Sequence, residues 1–195
     1  TGNTTLAGTA NNLGTVTAGS IAGGTITSAT TFPAGHVIQV QTTVSNTEWY
    51  SNTAETPTNI TFLNTVITPV KQSSRMLITF QFGTVSSYQG SALGYGAIRY
   101  IPTGGSEADV VPIGANTREG SYTHMGINLN STNYQGDNGA CAIASHLPNT
   151  TTELTYKFYI WTESSGGYSY INRVDRGAAS DFQTTSSCTV MEIAV

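Results

Sequence analysis

Residues 153–162 read ELTYKFYIWT, and this stretch decides the fold class. Leu154, Tyr156, Phe158 and Ile160 fall on one side of an extended chain, with Thr155, Lys157, Tyr159 and Trp161 on the other. That is the period of two expected of a strand with one buried face. Met76, Ile78, Phe80 and Phe82 repeat the pattern. Further short runs rich in Val, Ile, Tyr, Phe and Thr complete a set of predicted strands: His36–Val44, Asn59–Thr68, Arg75–Phe82, Leu93–Ile101, Ala108–Ile113, Ser121–Leu129, Ala140–His146, Glu153–Thr162, Tyr168–Val174 and Cys188–Val195. Turn chemistry separates them at Pro102-Thr103-Gly104-Gly105, Asp137-Asn138-Gly139, Leu147-Pro148-Asn149 and Ser165-Gly166-Gly167. Strands in succession with no helical periodicity between them predict an all-β fold, two antiparallel sheets packed as a sandwich of jelly-roll type.

Composition agrees and narrows the function. A chain of 195 residues and 20.5 kDa holds one domain and a short appendage. Only 9% of its residues are charged, against about 25% in an average protein, which argues against coiled coils and helical bundles. Seven Lys and Arg and a net charge of −4 cannot neutralise a phosphate backbone, so nucleic acid is not an expected partner. No run approaches the ~18 apolar residues of a membrane span, and the start lacks the basic and apolar regions of a signal peptide. The chain reads as soluble, without membrane insertion or Sec-type export. Two cysteines, Cys141 and Cys188, are too few for a disulfide scaffold, and two buried thiols are expected, the alternatives being a disulfide or a reactive thiol.

The first thirty residues differ from the rest. They contain no aromatic and no charged side chain, and Val16, Ile21 and Ile26 head three successive pentads, VTAGS, IAGGT and ITSAT. An odd period sends alternate members to opposite faces of a flat strand, so three copies winding around one axis would let all three aliphatics point inward. The alternative is a flexible Thr/Gly tether. Composition changes at Phe32, which divides the chain into residues 1–31 and a sandwich domain of residues 32–195.

Three stretches resemble a known family: FPAGHVIQVQT (Phe32–Thr42), TPVKQSSRMLI (Thr68–Ile78) and CTVMEIAV (Cys188–Val195). Together they look like the C-terminal head module of bacteriophage tail-fibre proteins, common among phages of aquatic bacteria including cyanobacteria. Val70-Lys71-Gln72 and Arg75-Met76 are conservative departures from its pattern. The resemblance implies a homotrimer with a short intertwined N-terminal β-stem and three sandwich heads. It also implies a place in the virion, assembly in the host cytoplasm, other tail proteins on the N-terminal side, and outer loops that touch the host surface.

Chemistry for catalysis is not visible. There is no P-loop, and Gly94-Tyr95-Gly96 has Arg99 where a dinucleotide fingerprint needs its third glycine. Gly104-Gly105-Ser106-Glu107-Ala108 lacks the last glycine of a nucleophile elbow. His36, His124 and His146 stand apart with no metal-ligand spacing, so neither metal nor cofactor is expected. A polysaccharide depolymerase would need two carboxylates ~5–9.5 Å apart. Glu119, Asp137, Asp175 and Asp181 are available in loops but form no recognisable pair. The chain is therefore expected not to be an enzyme.

Recognition of a bacterial surface polysaccharide or lipopolysaccharide asks for aromatic faces among amides and hydroxyls. Three loops have that mixture. The preferred one is residues 130–138, where Asn133, Tyr134, Gln135 and Asp137 crowd together. Residues 86–91 contribute Tyr88 and Gln89, and residues 173–182 contribute Arg176 and Asp181 in a chain otherwise poor in charge. Each can equally be a polar surface loop anchored by its own side chains. Trp49-Tyr50 is either a further exposed aromatic pair or a cap on the core near the stem. The expected function is a receptor-binding tail-fibre head; the alternatives are a capsid, head-fibre or baseplate structural protein and a depolymerase.

Overall fold

The computed structural model describes residues 32–51, 56–88, 91–110, 125–130, 138–162, 168–173 and 183–195. Among them run twelve strands: β1 (Val37–Ser45), β2 (Trp49–Ser51), β3 (Thr58–Asn59), β4 (Thr65–Ile67), β5 (Arg75–Tyr88), β6 (Ser91–Pro102), β7 (Ala108–Asp109), β8 (Met125–Asn130), β9 (Asn138–His146), β10 (Leu154–Thr162), β11 (Tyr168–Ile171) and β12 (Ser186–Ile193). No α-helix occurs among the described residues; one 3-10 turn covers Thr61–Leu63.

The strands form two antiparallel sheets of six. In the first, β5 is central: β9 pairs along one side, and β12 and β11 follow each other along the other. The flanks of that sheet are β1, on β12, and β2, on β11. In the second, β10 and β6 pair from Leu154↔Pro102 to Thr162↔Gly94. The outer side of β10 carries β4 and β3, and the outer side of β6 carries β7 and β8.

The period-two reading of β10 and β5 is what closes the sandwich. Leu154, Tyr156, Phe158 and Ile160 are fully buried, as are Met76, Ile78 and Phe80 from the facing sheet. Their aromatic rings meet in the middle: Phe158 lies 5.3 Å from Phe80 and 4.8 Å from Phe82, centroid to centroid and tilted. Burying three phenylalanines this way contributes about 1.5–3 kcal/mol apiece from area alone, with tilted ring pairs adding to it.

Where the structure departs from the sequence reading, local chemistry gives the reason. The single strand expected over Asn59–Thr68 is two short strands around the 3-10 turn, an arrangement that buries Ile60, Leu63, Thr65 and Ile67 together. Strand β5 continues to Tyr88 instead of ending at Phe82. It passes through a bulge, since Phe82 faces Ala140 while Val85 faces Asn138. A Cβ on Gly83 would lie 2.5 Å from the Thr185 carbonyl oxygen, so only glycine fits there.

Strand β11 ends at Ile171 rather than Val174 because Asn172 adopts φ 60°, a left-handed conformation that asparagine tolerates better than most residues. Its fully buried side chain ties three segments together. The amide nitrogen donates to Ser45 O and Thr47 O, both at 3.1 Å, and the amide oxygen accepts from Ser186 Oγ at 2.5 Å. The cysteine expectation is half right: Cys188 is buried and Cys141 is exposed. Ala140, Ala142 and Ala144 take the inward positions of β9 opposite Phe82, Phe80 and Ile78, which turns Cys141 and Ile143 outward.

Candidate functional site

The sandwich has two distinct ends. The described chain begins at Phe32 and enters through a turn closed by His36 N donating to Pro33 O (3.1 Å), in which Gly35 takes φ 85°. Gly35 N then donates to Ala194 O and Ala194 N to His36 O, both at 2.8 Å, so the start of the domain is stitched to its last residues. We call this the proximal end.

The three stretches that carry the family resemblance meet here on one carboxylate. Glu192 is fully buried. One of its oxygens accepts from Gln39 Nε2 at 2.6 Å and from Val70 N at 3.0 Å; the other accepts from Val70 N at 2.9 Å and Lys71 N at 3.0 Å. Gln39 Nε2 also reaches Thr68 O at 2.7 Å. Burial pushes the Glu192 carboxyl up, but the Val70 amide, the Gln39 side chain, the adjacent Ser74 hydroxyl and the Lys71 amide outweigh it and hold the group below the ordinary carboxylate range. These stretches are thus a clamp rather than a reactive site. A cavity of about 220 Å³ opens beside it, lined by Phe32, Ile38, Lys71, Ser74 and Val195 among others.

The opposite, distal end is where the sequence candidates attach. Tyr88 pairs with Tyr168, Ser91 with Asn130, Val85 with Asn138 and Thr162 with Gly94. The strand ends that flank residues 89–90, 131–137 and 163–167 therefore share this end. Asn133, Tyr134, Gln135, Asp137 and Gln89 lie outside the described residues, as do Arg176, Asp181 and the stem candidates Val16, Ile21 and Ile26. Tyr88 is described as the last residue of β5. The flanks of residues 174–182 are tied by the Arg173↔Gln183 bridge, and Arg173 Nη1 lies 3.9 Å from Glu48. Trp49 packs against the core, and its strand pairs with the distal half of the sheet through Ile171 and Val85. It therefore does not cap the core at the proximal end.

The sandwich also has two outer faces, which sequence reasoning did not single out. On the second sheet, Lys157, Arg99 and Asp109 stand in one cross-strand row beside Tyr159. Glu107 collects this group: it accepts from Lys157 Nζ at 2.9 Å and from Tyr159 Oη at 2.8 Å, and lies 3.4 Å from Arg99 Nη1. Arg99 Nε is 2.7 Å from Asp109, and its guanidinium carbon sits 4.6 Å from the centre of the Tyr159 ring. Partial burial pushes the Glu107 carboxyl up, but Lys157 and Tyr159 outweigh it and hold it low. Burial and the Glu107 hydrogen bond push Tyr159 up to about 12. The outward side of ELTYKFYIWT carried the available signal, yet Arg99 and Glu107 come from other segments.

The outer face of the first sheet is different in kind. Across β1, β12, β5 and β9 its rows read Val40, Met191, Leu77, Ser145; then Thr42, Thr189, Thr79, Ile143; then Val44, Ser187, Gln81, Cys141. None of these twelve positions is charged, and Arg75 stands at the proximal margin.

One further group of ionisable side chains lies between the sheets near the proximal end. Tyr156 Oη is 2.8 Å from His146 Nδ1, and the Tyr100 ring lies 4.2 Å from the imidazole. Burial pushes His146 down to about 4 and pushes Tyr156 above the ordinary tyrosine range, which favours the neutral form of both groups. Among the described residues no group of three or more His, Cys, Asp or Glu could hold a metal ion, and no helix is long and apolar enough to cross a membrane. Neither a scan against protein-family models nor a search of curated proteins finds a match to this chain.

Proposed function

We propose that this chain is the receptor-binding head of a phage tail fibre, a homotrimer whose distal loops bind a bacterial surface polysaccharide or lipopolysaccharide. In this reading each head is a jelly-roll sandwich, residues 1–31 form the intertwined stem, and other tail proteins attach on that side. The observation that supports it is the division of labour between the two ends. The Glu192 clamp, built from the three family-like stretches, holds the end at which residue 32 enters. The strands flanking residues 89–90 and the polar, Tyr-containing segment 131–137 finish at the other. A trimer presents three equivalent sites, and weak sugar contacts gain ~10²–10⁴ in effective affinity when all engage.

The test is retention of the purified protein on host cells, with Tyr134→Ala as the first variant. Attachment is expected to fall with little change in thermal stability. An unchanged attachment curve removes the 131–137 loop as the site. Release of oligosaccharides from host polysaccharide would favour the depolymerase, and neither attachment nor release would favour a decoration or baseplate role.

A further inference from the structure

We propose that the outer face of the first sheet is the surface that copies of this chain bury against one another. The inference rests on the trimeric reading and adds to it which face of the head is covered.

Seven large hydrophobic side chains are exposed among the described residues, and three of them stand on this face. Val40 and Val44 stand on β1 at one margin of this face, 49% and 62% exposed, and Ile143 stands on β9 at the other margin, 60% exposed. Between the margins Leu77 and Met191 are half-buried and flanked by threonines. Val37, Leu147 and Val195 are also exposed, nearer the proximal end where Arg75 adds a charge. Four strands about 4.8 Å apart, over five residues at about 3.3 Å each, make a face of roughly 200–300 Å².

A second copy is the occupant that fits. The face has no charge in its three rows, so it meets an identical face without burying an unpaired ion. Its exposed apolar groups lie on both margins, so rotation about an axis in front of the sheet sets the β1 margin of one copy against the β9 margin of the next. The charged groups Arg99, Glu107, Asp109 and Lys157 are all on the far side of the sandwich, which keeps like charges of neighbouring copies apart.

Light scattering on the full chain tests this with Val40→Asp combined with Val44→Asp. The mass is expected to fall threefold, from three chains to one. Val66→Asp, at a valine of matching exposure (47%) on the second sheet, is expected to leave three. A wild-type trimer that survives the double substitution overturns the face and leaves the trimeric reading standing. A wild-type dimer that dissociates on substitution upholds the face and overturns the trimer; a wild-type single chain overturns both.

The wild-type protein supplies a second measurement that needs no variant. Cys141, in the row of Val44, is exposed in the single chain, whereas Cys188 is buried with its thiol pushed up to about 12. A bulky maleimide is expected to spare Cys141 in the assembled protein and to label it after dissociation by dilution. Labelling of assembled protein at the rate of an exposed thiol overturns the proposal. Protection of Cys141 in a single chain also overturns it, and assigns the face to the chain's own first 31 residues.

Discussion

The two outer faces of this sandwich are built on the same kind of strand, paired in the same antiparallel way, and yet carry opposite chemistry. One gathers Arg99, Glu107, Asp109 and Lys157 around Tyr159. The other carries valine, leucine, methionine, isoleucine and cysteine among threonines, serines and a glutamine, with no charge across its three rows. Four charged groups stand together on one face, and the three rows of the other hold none. A face that bears ion pairs is suited to solvent; a face that bears exposed aliphatics is suited to cover.

Both faces depend on one shared core, which sets the largest expected effect. Phe158→Ala removes the ring that touches Phe80 and Phe82 and is expected to cost about 3–5 kcal/mol in chemical denaturation. A loss under about 1 kcal/mol would mean the two sheets do not meet there.

Carboxylates sharpen the contrast between inside and outside. Glu192→Ala strands the Val70 and Lys71 amides and is expected to cost about 2–4 kcal/mol, since each buried donor without an acceptor costs about 1–3 kcal/mol. Glu107→Ala breaks partly exposed ion pairs and is expected to cost less than about 1 kcal/mol. Equal losses for the two would contradict the clamp.

Between these lies a pH effect. His146 has a folded pKa near 4 against an ordinary 6.5, so between those values the unfolded chain binds the extra proton. Stability is then present above pH 6.5 and is lost as pH falls toward 4. Glu192, held below its ordinary range, adds a loss of the same sign at lower pH still. Denaturation midpoints measured from pH 7.5 to 4.5 should fall for the wild type and fall less for His146→Phe; parallel slopes would remove His146 as the cause.

The strands that the sequence disclosed best are those whose two sides differ. In β10 and β5 the alternation of large apolar and polar residues is almost unbroken, and both are central strands in the structure. What stayed hidden depends on contacts between distant segments. Gln39 and Glu192 are 153 positions apart, and the two backbone amides that complete the clamp leave no mark in composition. Asn172 looked like any strand residue until its left-handed conformation made it a junction. The exposure of Cys141 follows from three small alanines taking the inward positions of β9. The Glu107 cluster needed the register of β6 on β10 to bring Arg99 opposite Lys157.

The measurement closest to the centre of this account is the sedimentation-equilibrium mass of the full chain at neutral pH. Three times the 20.5 kDa of one chain is the predicted result. A single 20.5 kDa species at every concentration would leave the uncharged face without its partner and contradict the tail-fibre reading.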